Sequence, residues 1–113
     1  AAAAAAARLR PRAREVFEWS VAAVGNLAEY GGAAVRARVL SRGALDPLVR
    51  LLIEGQGLGQ ELALFALGTL RDAGGPEFQE RLRDAIDPLR DLTIRLYEGK
   101  LRETALCLLR LAK

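Results

Sequence analysis

The 113-residue chain contains no histidine, no methionine and only one cysteine, Cys107. Histidine is the commonest general base in enzymes and the commonest metal ligand, so its absence removes the usual starting point for both kinds of site. A single cysteine excludes an internal disulfide and any metal site built from several thiolates. We therefore expect no catalytic residues, no metal site and no cofactor, and we predict that the chain is not an enzyme.

Aromatic residues make up only 5% of the sequence, and β-branched residues are also scarce, whereas Leu, Ala and Arg are abundant. Leu, Ala and Arg favour helices, while aromatic and β-branched residues favour strands. No uncharged apolar run approaches the roughly 18 residues that a membrane helix needs, and no secretory signal is present. The composition predicts an all-α, soluble, intracellular protein, in the cytoplasm, at the cytoskeleton or cilium, or in the nucleus.

Three pairs of segments recur at a nearly constant spacing along the chain. They are residues 43–52 with 84–93, residues 61–67 with 103–109, and residues 18–27 with 61–70. The corresponding offsets are 41, 42 and 43 residues. This period lies in the range of about 40–47 residues that is typical of HEAT and armadillo repeats, and is longer than the ~34 residues of tetratricopeptide or ankyrin repeats.

Paired Asp-Pro dipeptides predict the start of one helix in each unit. Asp46-Pro47 and Asp87-Pro88 suit a helix start because aspartate caps free amide groups and proline fits the first helical position. Apolar residues then recur with helical spacing until glycines interrupt the chain. The same periodicity and punctuation predict four further helices, over residues 33–41, 58–72, 77–84 and 100–112. Each unit is thus predicted to hold one short and two long helices.

Two segments carry a family resemblance. Residues 20–28 (SVAAVGNLA) resemble the end of the third helix of an armadillo repeat, and residues 43–52 (GALDPLVRLL) resemble its second helix. Glu18, Glu61 and Glu103 stand where the family often places a glutamate early in the third helix. The resemblance implies a right-handed α-solenoid of armadillo-type three-helix repeats. By its register, residues 1–30 end one repeat, residues 31–73 form a complete repeat, and residues 74–113 form a second repeat. Ala1–Ala7 fall where the second helix of the first repeat lies.

The resemblance also implies a function. Armadillo proteins commonly bind extended peptides in a concave groove lined by their third helices, so the chain is expected to be a non-catalytic protein–protein interaction scaffold. It is expected to act as a segment or subunit of a larger assembly. The family's binding ladder is spaced i, i+4, i+8, which places three side chains on one helix face. The candidate groove residues are Glu18, Ala22 and Asn26 on one third helix and Glu61, Phe65 and Thr69 on the next.

The ladder of this chain departs from that of importin-α-like members, which often have tryptophan in the middle position and asparagine in the last. Only Asn26 of that set is present, so recognition of a nuclear-localisation peptide is not indicated. Trp19 stands three residues before the family's position and is predicted to pack elsewhere. Two interpretations stay open for the groove. In the first, Asn26, Thr69 and Phe65 bind a ligand; in the second, Asn26 bonds the neighbouring backbone and Phe65 belongs to the core.

Both ends of the array are predicted to need a cover. Stacked repeats shield one another's apolar faces, and terminal repeats normally carry a polar outer surface. The last predicted helix instead carries Leu106, Leu108, Leu109 and Leu111 up to the end of the sequence. At ~25 cal/mol per Å² of apolar surface, exposing several leucines forfeits several kcal/mol. We therefore expect further repeats or a protein partner to cover both ends.

A basic stretch supports an alternative function. Residues 8–14 (RLRPRAR) contain four arginines around a proline, which suits contact with nucleic acid or an acidic membrane surface. In the other interpretation this stretch is a solvated turn between two helices, where the repeat register places it. The net charge of +3 is weak, and no aromatic residues interleave the arginines to stack on bases. The sequence therefore favours the turn, and nucleic acid is not the expected partner.

Three other features are interpreted as structural. Residues 55–59 (GQGLG) follow a predicted helix rather than a strand, which favours a turn over a phosphate-binding loop. Asp84, Asp87 and Asp91 lie among arginines, which favours a salt-bridged surface over paired catalytic carboxylates. Cys107 lies on an apolar helix without a nearby base, which favours a core position over a reactive thiol.

Overall fold

The computed structural model describes the backbone of residues 11–113 and the side chains of residues 14–113. Every regular element in this part of the chain is helical, which confirms the predicted all-α class there. The α-helices are α1 (Pro11–Tyr30), α2 (Gly32–Ser41), α3 (Leu45–Glu54), α4 (Leu58–Leu70), α5 (Gly75–Leu82), α6 (Ile86–Arg95) and α7 (Lys100–Ala112). Single 3₁₀ turns, Arg71–Ala73 and Arg83–Ala85, follow α4 and α5. Ala1–Ala7 lie outside the described residues.

The helices follow the predicted order, with small differences in length. Residues 100–112 were predicted as one helix, and α7 has these bounds. The helix predicted over residues 58–72 ends two residues earlier, where a 3₁₀ turn begins. The distinction between a short first helix and a long second one is weaker than predicted, because α2 and α3 both contain 10 residues.

The predicted capping role of the Asp-Pro pairs is wrong. Helices α3 and α6 begin one residue before the aspartates, and no side chain caps either helix. Asp46 and Asp87 therefore lie in the first turn, where a carboxylate still interacts favourably with the helix dipole. The prolines are tolerated there because the first amide groups of a helix have no partner inside it.

The core is a continuous apolar layer that reaches from α1 to α7. Helices α3 and α4 supply about half of it, and Phe78, Leu82, Leu89, Leu92 and Leu108 extend it to the last helix with exposures of 0–1%. A fully buried leucine contributes about 1.5–3 kcal/mol relative to an exposed one. No polar or charged residue is buried among the residues that the structure describes. Apolar burial therefore holds the layers together.

The three helices that correspond to third helices of the repeat lie in sequence, with α1 packed on α4 and α4 packed on α7. Glycines at equivalent positions allow each close approach. A Cβ on Gly25 would lie 2.6 Å from Cε2 of Phe65, and a Cβ on Gly68 would lie 2.6 Å from Cγ2 of Thr104. The described layers measure 35 × 31 × 25 Å, and so few layers do not define a superhelical turn. The right-handed solenoid thus stays a prediction.

The leucines of α7 were predicted to need a cover from outside the chain, but other helices of the chain already pack on them. Leu108 and Leu109 are buried, and Leu106 and Leu111 are half-buried. These leucines are covered because α5 and α6 both pack on α7. The chain itself therefore covers much of these leucines, and further repeats or a partner at this end stay a prediction. None of the helices within residues 11–113 combines the length and apolarity needed to cross a bilayer.

Candidate interaction groove

The six residues predicted from the ladder spacing line three adjoining depressions. The first depression encloses about 480 Å³ and contains Glu18, Ala22 and Asn26 on its wall. The second encloses about 340 Å³ beside Glu61 and Phe65. The third encloses about 280 Å³ beside Phe65 and Thr69. The structure thus brings all six candidates to one side of the stacked helices.

Shared walls join the depressions into one surface. Leu58 and Leu62 line both the first and the second depression. Phe65, Lys100 and Thr104 line both the second and the third. We call this continuous surface, from Glu18 on α1 to Lys100 on α7, the interaction groove.

Phe65 occupies the middle of the interaction groove and is half-buried. One edge of its ring packs on Gly25 in α1, while the side chain also lines two depressions. The interpretation of Phe65 as a core residue is therefore partly right, and its role in binding a ligand stays a prediction. Phe65 joins α4 to α1 and presents an apolar surface to the groove.

The polar ladder residues differ in what they can offer a ligand. Asn26 is exposed, and its amide makes no hydrogen bond to any residue that the structure describes, so the predicted bond to the neighbouring backbone is not found there. An amide of this kind presents donors and an acceptor to a peptide main chain. The Thr69 hydroxyl instead donates to the Ala66 carbonyl at 2.7 Å, which leaves it only as an acceptor.

Opposite charges line the two ends of the interaction groove. Glu15 and Glu18 line the depression on α1, and Glu61 follows on α4. Arg36, Arg71 and Lys100 line the depression at the far end, although Glu29 and Asp72 are also present there. Apolar side chains of Leu58, Leu62 and Phe65 lie between these ends, and Trp19 lies beside the acidic residues at the α1 end.

The basic end is held in place by local bonds. Arg36 donates from Nε to the Ala28 carbonyl at 2.6 Å and from Nη2 to the Glu29 carbonyl at 3.2 Å. Lys100 Nζ lies 3.8 Å from Oε1 of Glu29. These contacts tie the middle of α2 and the start of α7 to the end of α1, so the groove's far end spans three helices.

Arg71 connects the groove's basic end to the only cysteine. Its Nη1 donates to Sγ of Cys107, and its Nε donates to Oδ1 of Asp72 at 3.3 Å. Attraction to the Cys107 sulfur, followed by the contribution of Asp72, raises the pKa of Arg71. Cys107 is half-buried, so the predicted core position is only partly right.

Several lining residues were missed at the sequence level. Leu58 and Leu62 lie four residues apart on α4 and flank Glu61, so their spacing places them on the ladder's face. Trp19 was predicted to pack elsewhere, yet its side chain is 72% exposed and lines the first depression. Lys100 opens a different helix, and no local pattern connects it with α4.

The basic stretch does not form the predicted turn where it is described. The backbone is helical from Pro11 onward, and Arg14 is an exposed residue of α1. Arg8 and Arg10 lie outside the described residues, as does the side chain of Arg12. Contact with nucleic acid or an acidic membrane through this stretch therefore stays a prediction.

Two of the three aspartates predicted to form a salt-bridged surface do so. Arg81 bonds to Asp84, and Nη1 of Arg90 lies 3.7 Å from Oδ1 of Asp87, whereas Asp91 forms no ion pair with the described residues. The glycine-rich segment at residues 55–57 connects α3 to α4 and follows a helix, as predicted. Among the residues that the structure describes, no group of three or more Cys, Asp and Glu side chains is arranged to hold a metal ion.

The interaction groove combines the six ladder residues with apolar side chains, acidic residues at the α1 end and a small excess of basic residues at the α7 end. Comparison with protein-family models, curated proteins and solved structures finds no match for the chain.

Proposed function

We propose that this chain is a non-catalytic protein–protein interaction scaffold of the armadillo type, acting as a segment or subunit of a larger assembly. The observation that carries the proposal is the continuity of the interaction groove. Six residues predicted from a peptide-binding ladder line one surface that crosses from α1 through α4 to α7. A surface of that form suits an extended segment of a partner protein.

The exposed apolar side chains of the groove supply the expected binding energy. Trp19 and Leu58 are 72% and 57% exposed, so a ligand that covers them removes apolar surface from water. Interfaces commonly depend on a few such aromatic and aliphatic anchors. Asn26 lies beside them with an unpaired amide, which suits recognition of the ligand's main chain.

The charges predict the ligand's polarity. Glu15 and Glu18 favour a basic residue of the partner at the α1 end. Arg36 and Lys100 favour an acidic residue at the α7 end. Complementary charges set the direction of a bound peptide and speed its association more than they raise its affinity. The preferred partner segment is therefore basic at one end, apolar in the middle and acidic at the other.

A randomised peptide library displayed on phage tests the proposal with the full chain as bait. Selected peptides should carry the basic–apolar–acidic pattern. Ala22→Arg, which places a bulky charge inside the groove, should weaken their binding by about tenfold or more. Asp91→Ala is the matched control, because Asp91 is exposed on α6 and lies outside the groove. Failure to enrich any peptide, or equal binding to the Ala22→Arg variant, would contradict the proposal.

A further inference from the structure

The outer face of α1 carries an apolar stripe that contains no charged residue. Its five members are Val16, Trp19, Ala23, Leu27 and Tyr30, which we call the α1 stripe. Their spacings of three, four, four and three residues confine them to roughly 80° of the helix circumference. The four large side chains are 64%, 72%, 60% and 82% exposed in sequence order.

The repeat itself shows that this register is normally covered by a helix. The positions on α4 that correspond to the first four members are Gly59, Leu62, Ala66 and Leu70, and all are buried or half-buried. They are covered because α4 packs against α1 and α3. On α1 the same register is exposed, although four large apolar side chains are costly to leave in water. A helix is therefore the kind of structure that fits the α1 stripe.

The order of residues makes the α1 stripe complementary to itself. Counting from Ala23 in either direction along α1, the other members of the α1 stripe lie four and seven residues away. An antiparallel pair of α1 helices centred on Ala23 thus places Trp19 opposite Leu27 of a second copy, and Val16 opposite Tyr30 of that copy. Each aromatic ring then meets an aliphatic side chain. The small Ala23 allows close approach at the crossing point, as Gly25 does for the ring of Phe65.

The opposite end of the molecule does not offer an equally good surface for the α1 stripe. Gly25 of α1 and Gly68 of α4 each allow the following helix of this series to pack closely. The equivalent residue on α7 is the exposed Arg110. Likewise, Val49 of α3, which is 0% exposed, corresponds to the exposed Arg90 of α6. Charged side chains therefore stand where another layer would pack. Pairing of stripe with stripe gives a closed twofold dimer rather than an open chain of copies.

We propose that the α1 stripe is a homodimer interface in which two α1 helices pair antiparallel about Ala23. Each tryptophan or tyrosine can bury roughly 150–250 Å². With Val16 and Leu27 added, the stripe lies at the small end of specific interfaces, which bury about 800 Å² per partner. The dimer is therefore reversible, with dissociation expected at roughly micromolar concentration. The α1 stripe shares Trp19 and Ala23 with the wall of the first depression, so the dimer covers the α1 end of the interaction groove. Its test measures self-association of the chain alone and therefore does not require a groove ligand.

Trp19 provides a direct probe of the interface because it is the chain's only tryptophan. Sedimentation velocity of the full chain over a range of concentrations should show monomer converting to dimer. Tryptophan emission should shift to shorter wavelength with the same midpoint, since dimerisation removes the ring from water. Ala23→Arg should abolish both changes while circular dichroism stays constant, because arginine is tolerated at an exposed helix position. Ile94→Ala is the matched control, because Ile94 is equally exposed on α6.

Charged substitutions test the antiparallel register. Trp19→Lys and Leu27→Glu should each prevent self-association, whereas an equal mixture should form a heterodimer at low salt through the opposed charges. A full chain that remains monomeric at all concentrations would overturn the proposal. A monomer in which Trp19 already emits at short wavelength would also overturn the proposal, because another segment of the same chain would then cover the α1 stripe. A dimer that survives Ala23→Arg, or a mixture that stays monomeric, would equally refute it.

Discussion

The ring of Phe65 lies directly against Gly25, so that a Cβ on residue 25 would stand 2.6 Å from the ring's Cε2. Phe65 belongs to α4 and Gly25 to α1, two helices in extensive contact. The glycine therefore sets the distance between neighbouring layers. The same ring lines the groove, so packing between layers and the shape of the candidate site depend on one contact.

Gly25→Ala should destabilise the protein. The new methyl group must displace the Phe65 ring, and such overpacking costs about 1–3 kcal/mol. Better helix propensity offsets this by roughly 0.5–1 kcal/mol, so a net loss of about 1 kcal/mol is expected. Urea unfolding followed by circular dichroism measures it.

Gly59→Ala is the matched control for that substitution. Gly59 also lies in a helix and is buried, but its added Cβ would meet the nearest atom, Cδ1 of Leu51, at an ordinary 3.5 Å. This variant should be as stable as the original chain or slightly more so. Equal effects of the two substitutions would mean that the Phe65 contact does not set the helix spacing.

Arg81→Ala should weaken the contact between α3 and α5 and lower the free energy of unfolding by about 0.5–1 kcal/mol. Nε of Arg81 in α5 lies 2.7 Å from Oδ1 of Asp46 in α3, and the guanidinium also bonds to Asp84. The hydrogen bond to Asp46 raises the pKa of Arg81, although burial opposes it. The Arg81–Asp46 ion pair contributes little to the free energy of unfolding because Asp46 is 68% exposed. Water and salt therefore screen the attraction.

Urea unfolding measured at low salt and at 1 M sodium chloride distinguishes the charge contribution of Arg81 to stability from a contribution of its packing. The loss caused by Arg81→Ala should shrink at high salt. Arg50→Ala, which removes the 3.8 Å pair with Glu54 within α3, serves as a control for a pair confined to one helix. A loss of stability in Arg81→Ala that is unchanged by salt would show that packing of its side chain, rather than its charge, joins α5 to α3.

Arg36→Ala should loosen the end of α1. Its guanidinium satisfies the Ala28 and Glu29 carbonyls, which lie among the last carbonyls of that helix. We expect a loss of about 1 kcal/mol and faster amide hydrogen exchange around residues 28–32. Arg36→Lys should not restore protection, because two nitrogens of the guanidinium donate to different acceptors. Unchanged exchange in Arg36→Ala, measured beside the Arg38→Ala control, would contradict this role.

Leu108→Ala should cost about 2–5 kcal/mol, because Leu108 is fully buried under the helices that pack on α7. Leu106→Ala should cost clearly less, because Leu106 is only half-buried. Thermal unfolding of the two variants measures the difference. Similar small losses in both would show that α7 is not covered within this chain.

The helices and their order could be predicted from the sequence because periodicity and glycine punctuation act locally. The capping role assigned to Asp46 was wrong because its bonding partner, Arg81, lies 35 residues away, and no local rule reveals that partner. The burial of the α7 leucines likewise depends on α5 and α6 meeting that helix. Local signals define where helices form, whereas contacts between helices decide which side chains they expose.

The candidate site could be predicted in part for the same reason. A ladder of four-residue spacing placed Glu18, Ala22 and Asn26 on one face of α1, and the structure lines a depression with them. The contributions of Trp19 and Lys100 depend on how separate helices meet. Their roles could not be predicted from spacing along a single helix.

The central claim is that an extended partner segment binds along the interaction groove. The most direct measurement is a titration of the full chain with a phage-selected peptide, followed by backbone amide chemical shifts. The account predicts that the largest changes fall at Glu18, Ala22 and Asn26 on α1 and at Glu61, Phe65 and Thr69 on α4. Changes confined to residues outside the groove, such as those around Asp91 on α6, would contradict it.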